Sequence, residues 1–230
     1  MPDDSKFYIA AIGVSAGGQE PLWSFFDQIP PNLGIAFIVI QHLSREYVSV
    51  ADKLLAKHST MPVFWANDHQ EVKPNCVYLL PVNKMMTIEA GCLQLQDRPP
   101  ADLSNWAVDI FFHSLAKGEK ANAIGIILSG AGSDGTLGAI NIHDEEGIVM
   151  VQDPQTAEFS GMPKSAILKD HPVEILSPKR LAHALINFVS SEETKFIKAW
   201  AKHKVSYTTG LRIVLTCCGA GSCTLVRPVV

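Results

Sequence analysis

The sequence has few charged side chains and no run of basic residues, which argues against a nucleic-acid partner. Charged residues make up 18% of its 230 positions, and the formal net charge is −4 at pH 7. Nucleic-acid-binding proteins usually concentrate positive charge on one face. No apolar stretch approaches the ~20 residues that a membrane-spanning helix needs, and the polar residues 1–6 are not typical of a signal peptide. We therefore predict a cytoplasmic protein with no membrane insertion and no nucleic-acid partner.

The cysteines are too few and too unevenly spaced for a disulfide framework. Two stand alone in apolar surroundings and three crowd the C-terminal end, at Cys76, Cys92, Cys217, Cys218 and Cys223. Neither group has the spacing of a zinc site. We predict a reducing environment and no bound metal.

Strand-like and helix-like segments alternate along most of the chain. Hydrophobic residues make up 47% of it, enough for a large core. Apolar runs predict strands over 7–12, 35–40, 62–65, 76–80, 123–128, 147–151 and 173–176, and a hairpin over 85–89 and 92–96. Helical periodicity predicts helices over 22–26, 47–58, 106–117 (ended by Gly118), 137–143, 163–168 and 178–189. This alternation predicts an α/β fold with a doubly wound, mostly parallel sheet covered on both faces.

We predict two regions along the chain. Residues 1–190 form the α/β domain, and residues 191–230 form a C-terminal helix and an irregular tail. The tail beyond 206 has no helical period and carries only two charges, Arg212 and Arg227. Such composition is typical of a poorly packed, disordered or artificially appended extension.

A glycine-rich turn, GVSAGG at 13–18, joins the first predicted strand to the first predicted helix. Three interpretations are open: a nucleophilic serine at Ser15, a cradle for a phosphate or dinucleotide, or an ordinary structural turn. A dinucleotide site requires Gly-x-Gly-x-x-Gly and a carboxylate after the second strand. Position 15 is serine, and the second strand runs into Gln41 and His42. This pattern favours the serine, because a serine nucleophile needs a base.

A second glycine-rich turn, SGAGSDG at 129–135, follows the predicted strand over 123–128. Functional groups of doubly wound sheets gather at the carboxyl ends of strands. Ser15, His42 and Asp134 all follow strands, so we expect them at one edge as nucleophile, base and carboxylate. Taken singly, each has an ordinary alternative: turn former, surface histidine, or cap of the following helix.

Other polar residues are weaker candidates. We expect Ser129 and Ser133 to shape the second turn, Asp109 to support the N-terminus of its own helix, and Asp153 to form a turn. The five letters 13–17 also fit the nucleophile elbow of α/β-hydrolases. The chain order Ser…His…Asp, and the lack of a preceding oxyanion-loop strand, exclude that fold.

A series of motifs over residues 7–189 resembles the CheB-type chemotaxis receptor methylesterase domain. The motifs are IGVSAGG (12–18), VIQH (39–42), VYLLP (77–81), VDIFFHSLA (108–116), IILSGAGSDG (126–135), VQD (151–153) and GMP (161–163). The resemblance implies a Rossmann-like, three-layer fold with a doubly wound parallel sheet and a terminal antiparallel hairpin.

The resemblance also implies an activity, namely hydrolysis of glutamate methyl esters on methyl-accepting chemotaxis receptors, with deamidation of some glutamines. By this resemblance the triad is Ser15, His42 and Asp134, and no metal or cofactor is required. Amides of the two glycine turns would bind the oxyanion, and we select Ala131 and Ala16.

Three departures from the family pattern keep other functions open. Ala131 replaces a usual methionine, Trp106-Ala107 replaces Pro-Ser, and a histidine common after the strand over 77–80 is missing. Many relatives also carry a regulatory receiver domain, for which residues 1–6 are too short. Parts of the chain resemble the version fused to a receptor methyltransferase domain, so we expect a piece of such a fusion or an unregulated stand-alone domain. Alternatives to the esterase are a catalytically silent module that binds receptors or signalling partners, and a nucleotide-binding module.

Overall fold

The computed structural model describes residues 7–42, 50–98 and 106–191. The strands in these ranges are β1 Ile9–Val14, β2 Ala36–Gln41, β3 Val63–Trp65, β4 Gln70–Glu71, β5 Val77–Leu79, β6 Lys84–Glu89, β7 Cys92–Asp97, β8 Ala123–Ile127, β9 Ile148–Gln152 and β10 Glu174–Leu176. The helices are α1 Gln19–Phe26, α2 Ala51–Leu55, α3 Ala107–Glu119, α4 Thr136–Asp144, α5 Gly161–Lys169 and α6 Pro178–Ser190, with a 3₁₀ turn at Lys120–Asn122.

Seven strands form the main sheet, in the order β10-β9-β8-β1-β2-β5-β3. Every neighbouring pair in it is parallel. β1, β8 and β9 are buried at every position, as expected for central strands whose continuous apolar sequence is covered on both faces. The predicted doubly wound α/β fold is therefore confirmed.

Helices cover both faces of the sheet and produce two separate cores. On one face α1 and α6 bury Phe25 and Leu181 against alternate residues of the central strands. On the other face α3, α4 and α5 bury Phe112, Ile142 and Met162. This arrangement is the three-layer sandwich that the alternating sequence pattern predicts.

The predicted hairpin is present and belongs to a second, smaller sheet. β6 pairs with β7 and β7 with β4, all antiparallel, in the order β4-β7-β6. The hairpin packs against α3, where the Ile88 amide donates to Ser114 Oγ at 3.1 Å. β4 contains only two residues, and no sequence pattern predicted it.

Several helix boundaries differ from the sequence prediction, and α1 begins at Gln19 rather than at residue 22. α3 continues through Gly118 to Glu119, and the backbone turns only at Lys120, which has a φ of 52°. The helix predicted over 47–58 is described from residue 50 onward, and there only Ala51–Leu55 is α-helical. The tail beyond Ser191 lies outside the described residues.

The topological switch point of the sheet lies between the two central strands β1 and β8. From β1 the chain moves to β2 on one side, and after β8 it moves to β9 on the other. α1 and α4 therefore leave the two central strands toward opposite faces, and in doubly wound sheets functional groups gather at the carboxyl ends of the strands beside such a point. Within the described ranges no helix is long and apolar enough to cross a membrane.

Candidate active site

Strand register brings Ser15 and His42 together at the carboxyl edge of the sheet. Val14 pairs with Gln41, so Ser15 and His42 are the next residues of two neighbouring parallel strands. The His42 amide donates to the Val14 carbonyl at 3.2 Å, which extends this register by one residue. Val14 packs in the core beneath α1. Because side chains alternate along a strand, Ser15 and His42 project toward the opposite face, which α3 covers.

The turn that carries Ser15 is pressed against the turn that follows β8. The Ser15 amide donates to the Ser129 carbonyl at 3.0 Å, and the Gly18 amide donates to the Ser15 carbonyl at 3.1 Å. A Cβ on Gly130 would lie 3.0 Å from Ser15 Cβ and would overlap Met162 Sδ. The close approach of the two turns therefore leaves little room for a side chain at position 130.

Ser129 joins the two glycine-rich turns and the loop after β9. Its hydroxyl donates to the Ala16 carbonyl at 2.9 Å and accepts from the Phe159 amide at 3.1 Å. The Ser129 amide donates to Gln152 Oε1 at 2.9 Å. The prediction that Ser129 shapes the second turn is confirmed. The supporting role of Gln152 was missed, although a buried glutamine at the end of an apolar strand could have indicated it.

His42 and Asp134 form a short, largely buried hydrogen bond. His42 Nε2 lies 2.7 Å from Asp134 Oδ2, and the exposed fractions of the two side chains are 17% and 5%. The two residues are 92 positions apart in sequence. A carboxylate at this distance fixes the orientation and tautomer of the imidazole.

Asp134 lies at the N-terminus of α3. Its Oδ2 accepts from the Val108 amide at 3.0 Å, and its Oδ1 accepts from the Asp109 amide at 2.9 Å. Oδ1 also accepts from the amide of Gly135 at 2.9 Å. The first amides of a helix lack partners inside it and form the positive end of its dipole, so they stabilise a carboxylate. The ordinary alternative, a cap of the following helix, is wrong, because Asp134 caps α3.

The Ser15 hydroxyl and His42 Nδ1 have no hydrogen bond within the described residues. With Nε2 bound to Asp134, Nδ1 is the nitrogen available to take a proton from Ser15. This assignment reverses the one in chymotrypsin-like enzymes, where Nδ1 faces the carboxylate. Loose contacts between nucleophile and base are common without substrate and tighten when it binds.

The amides of Ala16 and Ala131 are available to bind an oxyanion. Both residues are exposed and lie on the two glycine-rich turns at the carboxyl edge of the sheet. Neither amide donates to a backbone carbonyl within the described part of the chain. Backbone donors at such a position can stabilise negative charge on a substrate oxygen.

Asp153 matches the sequence prediction, and Asp109 does not. Asp153 Oδ1 accepts from the Gln155 amide at 2.9 Å, which confirms a turn. Asp109 is directed away from its own helix, since its Oδ1 accepts from the Gly138 amide of α4 at 2.7 Å. Burial raises the pKa of Asp109 above its ordinary value, and the charge of Asp134 acts in the same direction.

Comparison with known proteins gives consistent matches. Residues 10–185 match the family model described as CheB methylesterase. The crystal structure of the Thermotoga maritima CheB methylesterase catalytic domain superimposes with a TM-score of 0.72 at 27% identity, covering 80% of this chain and 99% of that one.

Curated relatives differ widely in length. A putative protein-glutamate methylesterase/protein-glutamine glutaminase of Leptospira interrogans is 31% identical over 76% of this chain and 91% of its own length. A similarly named Pseudomonas aeruginosa protein is 30% identical over 77% of this chain, which spans only 53% of it. An uncharacterised 104.1 kDa protein of Rhodobacter capsulatus is 42% identical over 50% of this chain and 12% of its own length.

Proposed function

The chain belongs to the CheB methylesterase family, and we propose that it is a serine hydrolase acting on glutamate methyl esters of chemotaxis receptors. The observation that carries the proposal is the 2.7 Å hydrogen bond between His42 and Asp134, together with the strand register that places His42 beside Ser15. The names of the relatives support the substrate class.

In the proposed acylation, Ser15 Oγ attacks the carbonyl carbon of the ester. His42 Nδ1 takes the hydroxyl proton, and Asp134 stabilises the imidazolium through Nε2. The carbonyl oxygen becomes an oxyanion, which the amides of Ala16 and Ala131 bind. Because both amides belong to the backbone, alanine at position 131 supplies the same donor as the usual methionine.

Collapse of this intermediate breaks the bond between the carbonyl carbon and the methoxy oxygen. His42 gives its proton to the departing methoxide, so methanol leaves and an acyl-enzyme on Ser15 remains. Water then attacks the acyl carbon while His42 takes its proton, and collapse returns that proton to Ser15 Oγ. The products are methanol and a glutamate carboxylate. A glutamine substrate follows the same steps and releases ammonia.

The second candidate is a catalytically silent module that binds receptors or signalling partners. The observation that favours it is the missing hydrogen bond between Ser15 Oγ and His42 within the described residues. Reaction of the wild-type protein with a serine-directed fluorophosphonate separates the two functions, because a silent module stays unlabelled while still binding receptor helices.

Methanol release from methylated receptor tests the esterase directly. We expect turnover in the wild type, none in Ser15→Ala, and wild-type turnover in Ser24→Ala. Ser24 lies on α1, outside the proposed machinery, so it controls for loss of a serine hydroxyl nearby. Unchanged methanol release in Ser15→Ala would end the assignment.

We further propose that the natural polypeptide includes a receptor methyltransferase domain. The motifs that resemble the fused version support this, and the match to a small part of a 104.1 kDa relative is consistent with a longer polypeptide. Sequencing the genomic locus tests it, since a continuous reading frame into a methyltransferase is expected. The cytoplasmic location stays a prediction, as does the division of the chain into a domain over 1–190 and a helix with an irregular tail over 191–230.

A further inference from the structure

The N-termini of α3 and α4 are linked through two buried carboxylates. Asp134 precedes α4 and accepts from the first-turn amides of α3, Val108 and Asp109, at 3.0 and 2.9 Å. Asp109 belongs to α3 and accepts from the Gly138 amide in the first turn of α4 at 2.7 Å. Counted over the whole residue, the exposed fractions of Asp109 and Asp134 are 8% and 4%. Each helix is therefore capped by a carboxylate that belongs to the other helix or directly precedes it: Asp134 caps α3, and Asp109 caps α4.

Close contact between the two helices makes this reciprocal capping possible. A Cβ on Gly138 would lie 3.1 Å from both the Asp109 Cα and its carbonyl oxygen, and it would overlap Phe112 Cβ. Any side chain larger than the hydrogen atom of glycine at position 138 would therefore push the two helices apart. The first-turn amides of both helices need partners, and here each finds one across the interface.

We propose that Asp109 is a positioning residue, which fixes the start of α4 to the start of α3 and so holds Asp134 at the angle from which it reaches His42. This inference rests on the proposed function, because the catalytic value of that angle follows from the triad. Asp134 lies in the turn between β8 and α4, immediately before Gly135 and α4. The place where α4 begins therefore determines where the Asp134 carboxylate points.

Burial and charge give the two carboxylates different roles. Burial raises the pKa of Asp109, the neighbouring charge of Asp134 raises it further, and the Gly138 amide opposes both. Asp109 Oδ2 is buried and has no hydrogen-bond partner within the described residues. The protonated form of Asp109 is thus favoured relative to a free aspartate, while Asp134 has three backbone amides around it. Two nearby carboxyl groups with different environments commonly divide their tasks in this way.

Kinetics of methanol release by Asp109→Ala and Asp109→Asn test the proposal. We expect Asp109→Ala to lower kcat by about 10- to 100-fold, the range for misplacing a catalytic group by up to an ångström. KM should stay within about twofold, since a buried carboxyl does not touch substrate. Asp109→Asn should keep kcat near wild type, because its amide oxygen can still accept from Gly138. Equal losses in both variants, or none in Asp109→Ala, would overturn the proposal.

Ser114→Ala is the matched control for general weakening of α3. Ser114 Oγ accepts from the Ile88 amide and donates to the Phe111 carbonyl, far along the helix from Asp134. Loss of these bonds should leave kcat unchanged. A kcat loss in Ser114→Ala as large as that in Asp109→Ala would overturn the positioning role. Should Asp109→Ala fail to fold, Asp109→Ser takes its place, because serine is too short to reach Gly138.

A second readout does not depend on turnover. In a Ser15→Ala background, proton NMR detects the His42 Nε2 proton that is hydrogen-bonded to Asp134. We expect its low-field resonance to persist in Asp109→Asn and to shift upfield or broaden away in Asp109→Ala. An unchanged resonance in Asp109→Ala would overturn the positioning role. If wild-type protein released no methanol while the resonance behaved as expected, the proposed function would fail and the positioning role would stand.

Discussion

Replacing Asp134 by asparagine should separate the charge of this residue from its shape. The side chain has four contacts: Oδ2 faces the Val108 amide and His42 Nε2, and Oδ1 faces the amides of Asp109 and Gly135. An asparagine must place its NH₂ group at one of these two positions. NH₂ at the Oδ1 position leaves two buried amides without an acceptor, whereas NH₂ at the Oδ2 position leaves one. The second orientation is therefore favoured.

This orientation determines both the stability and the activity of the variant. One buried amide without an acceptor costs about 1–3 kcal/mol of unfolding free energy. The NH₂ group would donate to His42 Nε2, so the imidazole proton moves to Nδ1, the nitrogen that accepts the Ser15 proton in the proposed mechanism. Trapping the wrong tautomer in this way lowers kcat by about 10⁴-fold, or roughly 5 kcal/mol of activation free energy.

The assays are methanol release for kcat and urea unfolding for stability. Asp170→Asn is the matched control: Asp170 Oδ1 pairs with His143 Nδ1 at 3.1 Å, and its side chain is 5% exposed. That pair lies where α4 and α5 end, at the amino ends of the strands and away from the proposed active site. Weakening the pair should therefore lower the free energy of unfolding and leave kcat unchanged. A kcat in Asp134→Asn within about threefold of wild type would refute the tautomer argument.

Two further predictions concern stability. Gly138→Ala should lower the unfolding free energy by about 1–3 kcal/mol through overpacking. Gly118→Ala is the control and should not lower it, because a Cβ at position 118 would meet nothing within 4 Å. Equal effects of the two substitutions in thermal melts would contradict this. The raised pKa of Asp109 means that its contribution to stability is present below pH 3.8, its ordinary pKa, and is lost as pH rises through the raised value. Asp109→Asn should therefore gain stability relative to wild type as pH rises above about 4, and parallel urea-unfolding profiles from pH 4 to 8 would argue against it.

Local sequence patterns predicted most of the secondary structure because local interactions decide it. Continuous apolar runs at 35–40 and 123–128 indicated central strands, and both strands are buried as expected. The position of His42 after β2 and of Asp134 after β8 was sufficient to place both at the carboxyl edge. Motif order and spacing then indicated the family, which the comparisons confirm.

Boundaries set by packing could not be predicted in the same way. Gly118 indicated a helix end by its intrinsic propensity, yet α3 continues to Glu119. The hairpin pattern predicted two strands but not that they form their own sheet with β4 against α3. These outcomes depend on surfaces contributed by distant parts of the chain.

By itself the sequence determined the α/β alternation, the glycine-rich turns and the set of three candidate side chains at the sheet edge. Only the tertiary structure decided which helix Asp134 caps, which imidazole nitrogen it binds, and that Asp109 faces α4. Periodicity and spacing encode which face a residue occupies, but a hydrogen bond depends on the positions of both partners. Here the partners are 25 to 92 residues apart, and packing across the main sheet and between α3 and α4 brings them together.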